Sequence, residues 1–119
     1  MAALSAGPVS AFAVVDCEQA GPTMEAVRRC MLDQQLRQVD SAYRSLARKL
    51  RQRKPDAAAQ LAKSQTSWAG FAGDTCDYVK TTNPQQMIPS DAWLNCWVDF
   101  SRARGRILKK WEAQLTQPN

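Results

Sequence analysis

A chain of 119 residues supports one domain with one hydrophobic core, and 45% hydrophobic with 23% charged residues is the balance of an ordinary globular fold. Sixteen Lys and Arg against eleven Asp and Glu give a formal charge of +5, and there is no histidine. That absence removes the commonest general acid–base, the usual partner of a Ser or Cys nucleophile, and most zinc and copper sites. Glycine patterns that cradle phosphate are missing too, so neither a metal nor a cofactor is expected, and the chain reads as a binder rather than an enzyme. No apolar run approaches the roughly 18 residues that a transmembrane helix needs.

Residues 1–13 end in Ala11-Phe12-Ala13, the small-x-small pattern that signal peptidase cuts after. A basic n-region is missing and Gly7-Pro8 interrupts the apolar run, so residues 1–14 read as a residual signal peptide or a disordered leader. Residues 15–119 then form a single helical domain. Thr23, after Gly21-Pro22, is a good N-cap for a first helix over about residues 24–53. Leu32, Leu36, Val39, Tyr43, Leu46 and Leu50 recur at steps of four and three, one apolar stripe on that helix. Its last turns gather Arg44, Arg48, Lys49, Arg51, Arg53 and Lys54. Cations are favourable at a helix C-terminus, so this is a solvated end or, alternatively, a patch for an acidic partner. Lys54-Pro55 stops the helix, because a residue before proline avoids the helical region.

Pro55 and Asp56 suit the opening of a second helix over about residues 56–80. Leu61, Gln65, Trp68, Ala72, Thr75 or Cys76, and Val79 mark its inner face. Gly70 and Gly73 each forfeit about 1 kcal/mol of helix propensity, which points to close packing there. A loop from Thr81 to Pro89 follows, and Ser90 or Asp91 caps a third helix over about residues 90–115. Its stripe is Trp93, Trp97, Phe100, Arg104, Ile107 or Leu108, Trp111 and Leu115. Trp68, Trp93, Trp97 and Trp111 fall at helical spacing and read as core, with Trp93 the one nearest solvent. Period-two alternation is missing, so the expected fold is all-α, an antiparallel three-helix bundle with a short irregular N-terminal segment.

Cys17, Cys30, Cys76 and Cys96 match no zinc-ribbon, finger or C-x-x-C spacing. They read as structural disulfides of a protein in an oxidising compartment, the periplasm, against the alternative of four buried thiols in the cytosol. Four cysteines allow three connectivities, and short loop closure favours Cys17–Cys30 with Cys76–Cys96.

Four patches then align. Val39-Asp40-Ser41-Ala42-Tyr43-x-x-Leu46 resembles Leu-Asn-x-x-Tyr-x-x-Leu, and Gln65-x-x-Trp68-x-x-Phe71 ahead of Cys76 resembles Gln-x-x-Trp-x-x-Tyr-Arg-Asp-x-x-Cys. Cys96-x-x-x-Phe100-Ser101-x-x-Arg104-x-x-x-Leu108 resembles Cys-x-x-x-Leu-Thr-x-x-Arg-x-x-x-Leu, and Cys17 with Cys30 takes the place of a first cysteine pair. Over residues 16–115 the chain thus resembles the lysozyme-inhibitor family with an LprI-like N-terminal domain. Ala72 and Gly73 stand where that pattern has Arg-Asp, with Asp74 one place late. The resemblance implies an exported helical protein whose partner is a protein, either lysozyme or, for an immunity protein, a periplasm-acting toxin. A non-inhibitory structural or envelope-stress protein is the competing reading. Lysozymes are commonly basic, so a charge of +5 argues for an acidic target or a specific toxin.

For docking the sequence offers the loop residues Asn83, Gln85, Gln86, Met87 and Ile88, with Trp93 beside them. The two prolines reduce the entropy lost on binding, and a Cys76–Cys96 bond would fix the loop's feet. The competing reading folds Met87 and Ile88 back over the bundle's end. Arg51 and Arg53 offer a second, electrostatic contact. Arg104, on an apolar stripe, needs a carboxylate, and Asp40 or Asp74 is the expected structural partner. Export removes nucleic acid as a partner, and the protein is expected to be a monomer on its own.

Overall fold

The computed structural model describes residues 16–117, so the leader reading of residues 1–14 lies outside it. A 3-10 turn at Cys17–Gln19 leads into three helices: α1, Met24–Arg53; α2, Pro55–Thr82; and α3, Pro89–Thr116. There is no strand among the described residues. Thr23 Oγ1 accepts a hydrogen bond from the Ala26 amide at 3.1 Å and so caps α1. Lys54 alone connects α1 to α2, in a non-helical conformation (φ −146°, ψ 76°), in keeping with the proline that follows. α2 ends on Asn83 in the left-handed region (φ 44°), a conformation Asn tolerates better than most residues.

The start of α3 differs from the expected cap. Ile88 is the N-cap and makes no side-chain capping bond, while Ser90 and Asp91 lie inside the first turn. Both are used to join α3 to α1: Ser90 Oγ donates to Glu25 at 3.3 Å and Asp91 pairs with Arg28 at 3.0 Å. At the far end Glu112 accepts from Ser45 and Lys49, and Arg53 donates to the Leu115 carbonyl at 3.2 Å. These contacts make α1 and α3 parallel. Gln65–Arg104, Phe71–Phe100 and Cys76–Cys96 run in opposite order, so α2 is antiparallel to both.

α3 sits between its neighbours: Leu94, Val98, Ser101 and Leu108 are at most 1% exposed. Its aromatic stripe lies beside this line, on the flank that faces α2. The main apolar cluster, Val39, Ala42, Leu46, Ala47, Leu50, Leu61 and Leu108, occupies the end where α1 passes into α2. Leu36 departs from its stripe and remains 38% exposed beside an open groove with Leu32 and Leu94.

Both disulfides form as the loop lengths favour, Cys17–Cys30 and Cys76–Cys96. The first holds the N-terminal turn on α1, where Gly21 is needed because a Cβ there would come within 2.8 Å of Ala26. Gly70 has no such reason: a Cβ would meet nothing within 4 Å, so close packing does not explain it. Gly73 lies against Trp97 at an ordinary contact distance of 3.5 Å.

Candidate functional site

The α2–α3 loop is held by one side chain. Asn83 Nδ2 donates to the Met87 carbonyl and Asn83 Oδ1 accepts from the Met87 amide at 2.9 Å, so a single amide closes the loop on itself. A turn bond from the Gln86 amide to the Asn83 carbonyl at 2.9 Å brings Gln86 to φ 55°. Between Pro84 and Pro89 little backbone freedom is left to lose on binding. Met87 is half-buried, whereas Ile88 is 67% exposed, so the apolar tip is Ile88 alone. Gln85 and Gln86 flank it in solvent. Beneath, Cys76–Cys96 joins the two helices and Trp93 Nε1 donates to Asp77 at 3.0 Å. Trp93 is therefore a half-buried strut, and the most exposed indole is Trp111.

Two aromatic residues that the sequence reading left out extend this surface. Phe71, Asp74 and Tyr78 are exposed on one outer face of α2 at i, i+3 and i+7, with Phe71 63% and Tyr78 66% in solvent. The signal was available: they lie on the side away from Trp68, Ala72, Cys76 and Val79. Phe71 packs edge-on against Phe100 with centroids 5.7 Å apart, which stiffens the face. Exposed Met24 stands at the same end, next to the Glu25–Ser90 contact.

Charge is segregated along the bundle. Residues 16–38 and 70–100, which build the loop end, hold four cations and eight carboxylates, a formal −4. Residues 39–69 and 101–117, which build the junction of α1 with α2 and the end of α3, hold twelve cations and three carboxylates, a formal +9. Arg51 and Arg53 belong to the second group and lie at the opposite end from the loop, so the structure does not bring those two candidate contacts together.

Arg104 is 8% exposed but pairs with neither Asp40 nor Asp74. Its Nε donates to Gln65 Oε1 at 3.0 Å and one Nη donates to Ser64 at 3.1 Å. The guanidinium lies 5.8 Å from the Trp68 ring centroid and 5.5 Å from that of Trp111. Burial lowers its pKa from the ordinary arginine value. The correction has a simple cause: Asp40 follows buried Val39 and turns outward to Arg44 at 3.0 Å, and Asp74 is on the outer face of α2. Neutral acceptors and two π faces supply what a carboxylate would have.

Two disulfides staple the helical frame, and its loop end is closed, part-apolar and part-acidic. The lysozyme inhibitor LprI family profile matches residues 16–108, and the chain belongs to that family. Comparison with the curated proteins and with the solved structures gives no match.

Proposed function

We propose that this protein is an exported, non-catalytic inhibitor that docks its α2–α3 loop end against a cationic hydrolase of the lysozyme type. The observation that carries the reading is the coincidence of a closed loop presenting Ile88 with the acidic half of the molecule. Complementary fields speed encounter and fix orientation, and a rigid apolar tip entering a cleft loses little entropy on binding. The two disulfides and the family support export to the periplasm, with Ala11-Phe12-Ala13 as the cleavage signal. The same surface serves an immunity protein if the hydrolase is a periplasm-acting toxin.

The test is inhibition of peptidoglycan hydrolysis by a panel of purified lysozymes, with wild type and an Ile88→Ala, Met87→Ala double variant. The double variant should inhibit more weakly by about 2 kcal/mol, roughly thirtyfold, the range of a binding hot spot. Full inhibition by the double variant contradicts the loop assignment. Failure of the wild-type protein against every lysozyme, with tight binding to a toxin encoded beside it, moves the target to the immunity class.

A further inference from the structure

We propose that the opposite end of the bundle, around the α1–α2 junction, is a docking surface for an anionic phospholipid membrane. This end carries the formal +9, and an open apolar groove of about 440 Å³ lies in it between Leu46, Leu50, Leu61, Trp111 and Leu115. Trp111 is 36% exposed there, with its ring against the Arg104 guanidinium. Three cations lie within one helical turn of the groove on their own helices, Arg53 beside Leu50, Lys63 beside Gln60 and Lys110 beside Gln114, and Lys54 follows Arg53 in the connector. Lys54, Lys63 and Lys110 are exposed and form no ion pair among the described residues.

An indole at the mouth of an apolar groove, ringed by long cationic side chains, is the pattern of a membrane–water interface. The ring settles at the headgroup level, the lysine stems cover apolar surface, and the ammonium groups reach lipid phosphates. A nucleic-acid surface would instead call for several exposed aromatic faces on which successive bases stack, whereas only Trp111 is exposed here and Arg104 covers one face of its ring. Docked this way, the protein presents its acidic loop end away from the membrane. The inference stands independently of the hydrolase reading, because it concerns the other end and another ligand.

Co-sedimentation of the full chain with phosphatidylcholine vesicles containing about one-third phosphatidylglycerol tests it. Wild type should bind these vesicles at low salt, leave pure phosphatidylcholine vesicles alone, and dissociate as ionic strength shortens the screening length. Charge reversal at the groove (Lys54→Glu, Lys63→Glu, Lys110→Glu) should weaken binding by at least about a hundredfold, since each lost cation is worth about fivefold. A control with the same change in net charge at the other end (Arg29→Glu, Arg37→Glu, Lys80→Glu) should stay within about twofold of wild type. Circular-dichroism melting confirms that both variants fold. Independently, vesicles should shift wild-type tryptophan emission to the blue, and Trp111→Phe should abolish the shift. Equal loss of binding in the two charge-reversed proteins overturns the proposal, because it reports net charge alone. Absence of wild-type binding overturns it as well, and duplex DNA retained under conditions where vesicles are not would assign the basic end to nucleic acid.

Discussion

Arg104 illustrates how much a single residue's partners matter. Its position on an apolar stripe is visible in the sequence, but its acceptors are not, because Gln65 and Ser64 come from a helix 40 residues away. A lysine offers no planar fork for two acceptors and stacks poorly between indoles. Arg104→Lys should therefore cost about 2 kcal/mol in urea unfolding. Gly70 gives the opposite sign: with open space around its missing Cβ, Gly70→Ala should stabilise by about 0.5–1 kcal/mol. Glu112 carries a pH dependence. The Lys49 and then the Ser45 hydrogen bond hold its carboxyl below the ordinary range, with burial opposing them. A lowered folded-state pKa means the stabilisation is present above the ordinary glutamate value, about 4.3, and is lost as pH falls through the folded value. Glu112→Gln should flatten that acid-side loss in thermal melts taken across the same range.

At the level of elements, proline, cap and heptad-like spacing specify three helices, and cysteine spacing favours, among three connectivities, the pairs that close. These signals are local, so they survive without knowledge of the packing. The loop's closure is a different matter, since an Asn side chain bonding a backbone four residues on leaves no periodic trace. The sequence reading placed the apolar tip at Met87 and Ile88 together, and the clamp turns only Ile88 outward. Asn83→Gly, which keeps the left-handed backbone, should release the clamp, weaken inhibition by about tenfold and leave helical melting nearly unchanged, as binding kinetics and circular dichroism would show. Phe71 and Tyr78 fall off the stripe that marks the buried face of α2, so their exposure was legible once that stripe was drawn. Removal of the Cys76–Cys96 bond should cost about 3 kcal/mol through the freed chain, measured as the difference in denaturant midpoint between the native protein and a Cys76→Ser, Cys96→Ser variant.

Across the whole molecule, the net charge conceals a separation of −4 from +9. Summed over the chain, +5 argued against a basic target. Distributed over an up-down-up bundle, it leaves one end acidic and able to meet a basic enzyme. That distribution depends on which helix ends lie together, and so appears only once the topology is known. On the proposed function, the hydrolase binds at the acidic loop end. Amide hydrogen exchange, with and without a lysozyme that the protein inhibits, tests it most directly. Protection should concentrate in residues 71–91, from the outer face of α2 through the loop into the first turn of α3. Protection confined to residues 44–54 and 104–115, with the loop exchanging as in the free protein, would contradict the account and place the interface at the basic end.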